Sequence, residues 1–455
     1  MSAAAPLTPA ELSAAGRDLP AQLAVELGDG ASLTVGPVLR LLPGKRLAGP
    51  ALLGDGQVFA KLYFSSGAAR HGVREKRGIQ ALLAAGLPSP ALIHAEPWSC
   101  GGYAVVTAHL PDALPLDEGA CDADLLATFA LFGRLHRAGL IHRDAHLGNV
   151  LKSGGQFWLI DGDGIVPAGE NERLDNLALL AAQMPARWPD LAERALAAYG
   201  SPVATDDLAR RIARAEARRL SAFLAKTVRE CSEFCVSRNW EGVTVVRRDR
   251  AARLAGLLAD PDAALAGGIM LKDGGTCTVV RIDLEGLPVA VKRYNLKNTR
   301  HALSRAWRPS RAWQSWIEAQ RLSYYGIPTP RPLAVVERRF GPLRGRAYLV
   351  TVASEGRSLL DAWSADVLPP EDERTALLAL LAALRRFRIG HGDLKASNFL
   401  IADGRVELID LDATCQHRSE WRYRRAWQRD RARLLANWPA GSPLHTWLDD
   451  ALPRE

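Results

Sequence analysis

Two short stretches of the chain carry the same reactive side chains at the same spacing. Residues 142–149 are HRDAHLGN and residues 391–398 are HGDLKASN, so both follow the pattern H-x-D-x-[H/K]-x-x-N. Each stretch precedes a predicted β-hairpin whose second strand ends in an aspartate, and that aspartate stands 17 residues after Asp144 in the first case and 17 after Asp393 in the second. This agreement between two otherwise different sequences indicates a duplicated site.

Phosphoryl transfer from a nucleotide needs a small set of side chains. A lysine neutralises the phosphates, and a glutamate on a neighbouring helix holds that lysine. An aspartate accepts the proton of the attacking hydroxyl, and an asparagine and a second aspartate hold Mg²⁺. The chain supplies this order twice, as Lys61, Glu75, Asp144, Asn149 and Asp161, and as Lys292, Glu318, Asp393, Asn398 and Asp410.

These positions define the predicted roles. Asp144 and Asp393 are the predicted catalytic bases, and ATP and Mg²⁺ are the expected cofactors. His146 and Lys395, two residues after the bases, are placed to reach the transferring phosphoryl group. The histidines two residues before the bases are predicted to buttress the loop. Glu75 and Glu318 lie on charged helices, and the alternative is that either is an ordinary surface glutamate.

The surrounding elements repeat as well. Lys61 in QVFAKLYF and Lys292 in LPVAVKRY lie on apolar strands, where an unpaired lysine is costly. Amphipathic helices precede both loops, with apolar residues at helical spacing: Leu125, Phe129, Phe132 and Leu135 in the first, and Leu377, Leu381 and Leu384 in the second. The predicted hairpins turn at residues 153–155 and at Asp403-Gly404. The pattern predicts an α+β chain in which one architecture is used twice.

Some features depart from the usual kinase pattern. Neither half has a G-x-G-x-x-G loop, and the nearest candidates are Gly44 and Gly274-Gly275. Asp163 and Asp412, two residues after the predicted metal aspartates, add a carboxylate near the metal or face water. A helical pattern resumes soon after each site, which leaves little room for an activation segment and favours a small or sugar-like alcohol as acceptor.

Both halves resemble the protein-kinase-like fold. The second half, through VAVKRYN, GIPTPRPLA, HGDLKASNFLI and IDLDA, resembles the lipopolysaccharide core kinases (Kdo/heptose kinases) over roughly residues 265–440. The resemblance implies two tandem kinase-like domains, residues 1–240 and 241–455, each with a β-rich N-lobe and a helical C-lobe. A helical stretch over roughly 207–235 is predicted to close the first. HRDAHLGN also suits aminoglycoside-type small-molecule kinases.

Composition narrows the class of protein. The apolar share of 48% and charged share of 24% are typical of a globular chain. The N-terminus has no basic and apolar segments of a signal peptide, and the apolar runs are too short to span a bilayer. Six cysteines form no CxxC pair, which favours a reducing compartment over a metal site. We therefore expect a cytoplasmic protein, peripheral on the inner membrane.

Charge points to an anionic partner. Residues 1–240 hold 24 Lys and Arg against 25 Asp and Glu, whereas the remainder holds 34 against 25. Two basic-aromatic stretches, 292–316 and 418–438, are candidates for contact with an anionic membrane surface, and nucleic acid is not expected. The alternative is that their tryptophans pack the core and their arginines form a solvated face.

The expected function is an ATP-dependent kinase that phosphorylates a sugar hydroxyl of the lipopolysaccharide inner core, on heptose or Kdo. The acceptor would be the lipopolysaccharide core or a lipid-linked sugar. Two alternatives remain: a small-molecule or protein kinase of the same fold, and a pseudokinase scaffold in envelope biosynthesis for one of the copies.

Overall fold

The structure is a computed structural model that divides into two compact units, Met1–Ala217 and Arg218–Glu455. The sequence predicts a boundary near residue 240, and the division lies earlier in the chain. The residues that the structure describes are 6–98, 101–117, 119–295, 309–341 and 343–454.

The first unit begins with a seven-stranded antiparallel sheet. Its strands are β1 (Leu23–Glu26), β2 (Ser32–Val35), β3 (Arg40–Leu42), β4 (Arg46–Leu53), β5 (Gly56–Tyr63), β6 (Leu92–Trp98) and β7 (Gly102–Ala108). Their order is β1-β2-β4-β5-β7-β6, and β3 pairs with β4 outside this path. Lys61 therefore lies in a central strand, opposite Ala48 on β4 and Val105 on β7.

Helices and short hairpins form the rest of the first unit. The helices are α1 (Pro9–Ala15), α2 (Ala68–Ala84), α3 (Asp122–Arg137), α4 (Glu170–Ala181) and α5 (Trp188–Tyr199). Helix α6 (Thr205–Lys226) begins in the first unit and continues past Ala217, where the first unit ends. The short strands are β8 (Leu114–Pro115), β9 (Leu140–His142), β10 (Val150–Ser153), β11 (Gln156–Leu159) and β12 (Ile165–Pro167). A core below the sheet gathers the buried faces of α3, α4 and α5.

The second unit repeats this arrangement with a second seven-stranded antiparallel sheet. Its strands are β13 (Phe234–Asn239), β14 (Gly242–Arg247), β15 (Ile269–Gly274), β16 (Cys277–Asp283), β17 (Pro288–Tyr294), β18 (Pro332–Phe340) and β19 (Leu343–Val352). Their order is β13-β14-β18-β19-β17-β16-β15. Lys292 lies on β17 between β16 and β19, opposite Val279 and Leu349.

The helical part of the second unit follows. Its helices, with two that precede β15, are α7 (Ala251–Ala259), α8 (Pro261–Ala266), α9 (Arg311–Tyr324), α10 (Leu359–Ala362), α11 (Glu371–Arg386), α12 (Glu420–Leu435) and α13 (Pro443–Ala451). The short strands are β20 (Arg357–Ser358), β21 (Ile389–Gly390), β22 (Phe399–Ala402), β23 (Arg405–Leu408) and β24 (Cys415–Gln416).

The mixture of helix and sheet confirms the predicted class, and the local predictions hold. The apolar residues that predict α3 and α11 are all buried. Both hairpins form where the turn residues predict them, β10–β11 around Gly154-Gly155 and β22–β23 around Asp403-Gly404. All four turn residues have positive φ, which is what a two-residue type I′ hairpin turn requires.

Two predictions meet the structure differently. The helical prediction for 207–235 is wrong at its end, because α6 stops at Lys226 and β13 begins at Phe234. Phe234 is buried and the strand pairs with β14 along its whole length, so sheet pairing decides its conformation. Part of the basic-aromatic stretch 292–316, residues 296–308, lies outside the described residues. No described helix combines the length and apolarity that crossing a bilayer requires.

Candidate active site

The first predicted loop brings its asparagine and its aspartates together. The Asn149 side-chain Nδ2 donates to the backbone oxygen of Asp144 at 2.9 Å, which closes the five-residue span between them. The backbone N–H of Ile160 donates to the backbone oxygen of Asn149 at 3.0 Å, so Asp161, the next residue, lies beside Asn149. His142 is fully buried, and its Nε2 bonds the Ile160 oxygen at 2.9 Å. That bond is the buttress that the sequence predicts.

Asp161 adopts a backbone conformation that few residues other than glycine accept. Its φ of 67° and ψ of 63° lie in the left-handed region, directly before a 3₁₀ turn at Gly162–Gly164. Such strain is often found at functional positions. Here it turns the chain sharply after β11 and directs the carboxylate back towards Lys61.

Lys61 joins the strand, the helix and the turn. Its Nζ lies 2.5 Å from Glu75 Oε1 and 2.9 Å from Asp161 Oδ1. Glu75 is buried on α2 and also accepts the backbone N–H groups of Gly162 and Asp163, at 3.1 and 2.9 Å. The structure therefore assembles the predicted lysine, glutamate and aspartate into one connected group.

Burial and charge act against each other in this group. Burial alone would lower the pKa of Lys61, but the carboxylates of Glu75 and Asp161 outweigh it and raise that pKa above its ordinary value. Burial alone would raise the pKa of Asp161, but Lys61 and Arg46 outweigh it and lower that pKa. Lys61 and Asp161 are therefore both charged at neutral pH, as phosphate and metal binding require.

The second loop repeats the first bond for bond. Asn398 Nδ2 donates to the Asp393 backbone oxygen at 2.8 Å, and the Ile409 N–H donates to the backbone oxygen of Asn398 at 2.9 Å. His391 Nε2 bonds the Ile409 oxygen at 3.0 Å. Asp410 has a φ of 63° and ψ of 55°, again before a 3₁₀ turn. The two loops therefore share one backbone design.

The lysine of the second unit has a different set of partners. Lys292 Nζ lies 2.5 Å from Asp410 Oδ1 and 5.0 Å from the centre of the Tyr294 ring. Glu318, predicted to hold it, instead pairs with Arg321 at 2.8 Å on the same helix. Burial raises the pKa of Glu318, and Arg321 opposes that rise. The structure does not bring Glu318 to Lys292.

Ser315 occupies the place that Glu75 takes in the first unit. The tyrosine two residues after each lysine identifies it: Tyr63 bonds Glu75 at 3.3 Å, and Tyr294 bonds Ser315 at 2.8 Å. Glu75 and Ser315 each stand 11 residues before the glycine that ends their helix, whereas Glu318 stands only eight before it. The prediction of Glu318 was one helical turn out of register.

The second aspartates, Asp163 and Asp412, bond to the helix that carries these residues. Asp163 pairs with Arg74 at 2.5 Å and with His71 at 3.1 Å, both on α2. Asp412 pairs with Arg311 at the start of α9. The sequence left two roles open for these aspartates, contact with the metal or with water. In the structure both carboxylates instead pair with cations of the helix. Both act as clasps between the helix and the turn.

His146 and Lys395 differ in their partners. The His146 side chain accepts the N–H of Gly148 at 3.0 Å and begins the turn that carries Asn149. Lys395 Nζ lies 3.2 Å from Asp393 Oδ2, so it flanks the predicted base. Both side chains border their loops, while their predicted contact with a phosphoryl group stays a prediction.

Polar side chains that sequence inspection missed hold the loops from below. In the second unit, the buried Asp430 of α12 accepts the N–H groups of His391 and Gly392 at 2.7 and 2.9 Å. In the first unit, Asn176 of α4 donates to the His142 oxygen at 2.7 Å, and Gln183 accepts the Leu147 N–H at 2.9 Å. Asp430 and Asn176 are polar positions on otherwise apolar helix faces, and that pattern was the available signal.

Each unit has a cavity beside this group. The cavity of the first unit holds about 390 Å³ and includes Lys61, Glu75, Asn149 and Asp161 in its wall. That of the second unit holds about 620 Å³ and includes the corresponding Lys292, Ser315, Asn398 and Asp410. Glu318 is not part of that wall. In the second unit the β15–β16 hairpin around Gly274-Gly275 contributes Leu271, Lys272 and Cys277.

The donor sets suit Mg²⁺. The ion prefers hard oxygen ligands, and each cavity wall includes the carboxylate of the hairpin aspartate and the side-chain amide of the loop asparagine. Each amide uses its nitrogen to bond the loop backbone, so its oxygen is left as the donor atom. The residues present thus fit a magnesium nucleotide, with Asn149 and Asp161 or Asn398 and Asp410 as the ligands.

Comparison with known proteins gives one family match. The model of the lipopolysaccharide kinase (Kdo/WaaP) family matches residues 274–440, within the second unit. This agrees with the resemblance drawn from the sequence over 265–440. No curated protein matches the chain.

Two solved structures are similar to part of the chain. One is described as WaaP in complex with acyl carrier protein, with 22% identity and a TM-score of 0.32, and the match covers 42% of this chain and 79% of that one. The other is described as vaccinia related kinase 3, with 11% identity and a TM-score of 0.25, covering 34% and 55%.

The family match identifies a phosphotransferase and supports a kinase of the lipopolysaccharide core. Kinase activity implies ATP as the phosphoryl donor.

Proposed function

We propose that the second unit transfers the γ-phosphoryl group of ATP to a sugar hydroxyl, on heptose or Kdo, of the lipopolysaccharide inner core. The single observation that carries this proposal is the overlap of the family match with one assembled site. Residues 274–440 contain Lys292, Asp393, Asn398 and Asp410, whose loop and hairpin are hydrogen bonded into one unit. The lysine, the base and the two metal-binding side chains are present, and Ser315 stands where the first unit has the helix glutamate.

The chemistry follows from where each group lies. Lys292 would neutralise the nucleotide phosphates, since it is a largely buried cation that pairs with Asp410. Asn398 and Asp410 would hold Mg²⁺, which screens the phosphate charge when bound. Asp393 would orient the acceptor hydroxyl and accept its proton. Lys395, whose Nζ lies 3.2 Å from Asp393 Oδ2, would contact the transferring phosphoryl group.

We propose that the first unit is a second kinase-like copy and also binds a magnesium nucleotide. Its lysine, glutamate and two aspartates are all present, and three of them form one connected ion-paired group. A pseudokinase that has lost nucleotide binding would be expected to lack one of these.

The outer face of α12 is the proposed contact with an anionic membrane surface. Tyr423, Trp427 and Leu434 point into the core, as the alternative for this stretch anticipated. Trp421, by contrast, is 63% exposed with Arg425 stacked 5.0 Å from its ring. Exposed arginines continue along the helix, at 422, 424, 425, 429 and 433. An exposed tryptophan among arginines suits a headgroup region.

The test combines nucleotide binding with transfer. Purified wild type, Lys292→Met and Lys61→Met are each given radiolabelled ATP, Mg²⁺ and lipopolysaccharide from a strain that lacks the protein. We expect wild type and Lys61→Met to label the core, and Lys292→Met to leave it unlabelled while folding normally. If wild type binds ATP but labels no core sugar, the proposed acceptor is wrong. Labelling lost only with Lys61→Met would assign the transfer to the first unit.

A further inference from the structure

The predicted base of the second unit is covered by two cations. Arg433 Nε lies 3.0 Å from one carboxylate oxygen of Asp393, and Lys395 Nζ lies 3.2 Å from the other. One carboxylate cannot neutralise two cations, so the group carries a surplus positive charge. Asp144, the corresponding residue of the first unit, makes no ion pair with any described residue. The cover is therefore a feature of the second unit alone.

A general base needs a carboxylate that is free to accept a proton, and the carboxylate of Asp393 is ion-paired at both oxygens. An acceptor hydroxyl needs a carboxylate oxygen that can take its proton, and a cation at each oxygen weakens Asp393 as a proton acceptor. Lys395 stands two residues after the base, so we expect it to leave Asp393 and contact the transferring phosphoryl group. Arg433 has no such task, because it comes from α12 and not from the loop.

Arg433 is held in this place by the fold. Asp430, three residues earlier on α12, is buried and accepts the N–H groups of His391 and Gly392. That contact fixes α12 against the loop that carries Asp393. The Arg433 side chain is nevertheless 56% exposed, so its guanidinium is open to a ligand that arrives from solvent. Helix α12 therefore holds an exposed guanidinium in a fixed position beside Asp393, where it can bind a ligand.

The chemistry of arginine indicates the ligand. A guanidinium presents a planar fork of donors that matches a carboxylate or a phosphate with two parallel hydrogen bonds. In this structure its Nε faces Asp393 and its Nη1 lies 3.5 Å from the Gly392 oxygen, so the fork is only partly used. A second anion of the same shape can take the place of the Asp393 carboxylate.

We propose that Arg433 binds an anionic group, phosphate or carboxylate, carried by the acceptor alcohol, and that this exchange uncovers Asp393 for the acceptor hydroxyl. The proposal rests on the proposed function in one respect, that Asp393 is the base of the second unit. It adds a substrate class: an acceptor with a negative charge close to the hydroxyl that is phosphorylated. A neutral sugar would leave Arg433 on Asp393.

Calorimetric titration of delipidated lipopolysaccharide core oligosaccharide tests the proposal, with the protein holding a non-hydrolysable ATP analogue and Mg²⁺. The oligosaccharide is used native, phosphatase-treated and carboxyl-reduced. The proteins are wild type, Arg433→Gln, and Arg454→Gln as control, since Arg454 is an exposed arginine paired with Asp449 at 3.2 Å. We expect Arg433→Gln to weaken binding of the native oligosaccharide about 30-fold, as loss of a charge-assisted fork would, and Arg454→Gln to match wild type.

The treated oligosaccharides identify the anion. The preparation that has lost the recognised group should bind wild type and Arg433→Gln equally. Equal binding of the native oligosaccharide to both proteins, or no binding to wild type, overturns the proposal. A wild type that binds with dependence on Arg433 but transfers no phosphate from ATP contradicts the proposed function and leaves the anion site standing.

Discussion

The two units place the same backbone around their sites but differ in where they place charge. In the first unit, charge is concentrated on the nucleotide side: Lys61 contacts two carboxylates, and Asp144 has no ion-pair partner among the described residues. In the second unit, Lys292 has one carboxylate, and two cations cover Asp393. The same loop backbone is thus combined with ion pairs around the lysine in the first unit and with ion pairs around the loop aspartate in the second.

This difference suggests how the copies divide the work. A lysine held by a glutamate and an aspartate is positioned before any nucleotide arrives, so we expect the first unit to bind nucleotide tightly. In the second unit Ser315 takes the glutamate's place, and the ion pair of Arg311 with Asp412 links the helix to the turn. Gln314 adds a hydrogen bond to the Thr414 oxygen at 3.2 Å. We expect the second unit to bind nucleotide more weakly and to carry out the transfer.

The largest expected effect separates the two bases. Asp393→Asn should lower the rate of phosphate transfer to the lipopolysaccharide core about 1000-fold, because the acceptor hydroxyl loses its proton acceptor. Asp144→Asn should leave that rate within about twofold of wild type. Steady-state assays of both variants at saturating ATP measure the difference. Equal losses would show that the units act as one catalyst, which contradicts the division described above.

The second prediction concerns the helix carboxylates. Glu75→Gln should weaken nucleotide binding by the first unit about 30-fold, roughly 2 kcal/mol, because Lys61 loses a charged partner. Glu318→Gln should not change nucleotide binding by the second unit, since Glu318 pairs with Arg321. Titration with a fluorescent ATP analogue measures both, with Lys292→Met or Lys61→Met added to silence the other unit. Weaker nucleotide binding by Glu318→Gln would show that Glu318 holds Lys292, as the sequence predicts.

Acid should affect the units differently. His136 is buried between Tyr199 and Asn176, and burial lowers the pKa of His136 from 6.5 to about 4. The unfolded chain therefore binds a proton that the folded first unit refuses, and stability falls as pH drops below about 6.5. Between about pH 7 and about pH 5 the free energy of unfolding should fall by roughly 2 kcal/mol.

The second unit should lose less stability, because burial also lowers the pKa of its His417 but that side chain is only partly buried. Burial raises the pKa of Asp430 above its ordinary 3.8, although the N–H groups of His391 and Gly392 oppose that rise. The stability from a raised carboxyl pKa is complete below about 3.8 and is lost as pH rises through the folded value, the reverse of the histidine. Hydrogen exchange resolved by peptide measures each unit. If His136→Gln leaves the acid sensitivity of α3 and β9 unchanged, the histidine is not its source.

The smallest expected effect concerns the clasps. Asp412→Asn should raise the KM for ATP about fivefold, close to 1 kcal/mol, because α9 loses its charged bond to the turn that carries Asp410. Asp163→Asn should change nucleotide binding by the first unit less, since Glu75 also bonds that turn. Asp249→Asn, an exposed aspartate beside three arginines, is the control. A larger effect for Asp163 would reverse the roles given to the clasps.

Local chemistry made much of the fold predictable. Gly154-Gly155 and Asp403-Gly404 give hairpin turns from two residues alone, and the 17-residue spacing then places each second aspartate beside its loop. The apolar spacing in α3 and α11 needs no distant information either. Those features depend on neighbours in sequence, and the sequence predicts them correctly.

What the sequence did not predict depends on pairs far apart in the chain. Glu318 and Ser315 lie on one face of a helix one turn apart, so the helical pattern alone cannot choose between them. Only the distance to Gly326 and the contact with Tyr294 make that choice. The Asp412–Arg311 and Asp393–Arg433 pairs span 101 and 40 residues, and no local pattern indicates them.

The most direct test of the account is the mass of the lipopolysaccharide core from a strain that lacks the protein. The strain is complemented in turn with wild type, Asp144→Asn and Asp393→Asn, with expression confirmed for each. The account predicts that wild type and Asp144→Asn restore a phosphate on an inner-core sugar, whereas Asp393→Asn leaves the core without it. A core that regains the phosphate with Asp393→Asn, or that never changes with wild type, would contradict it.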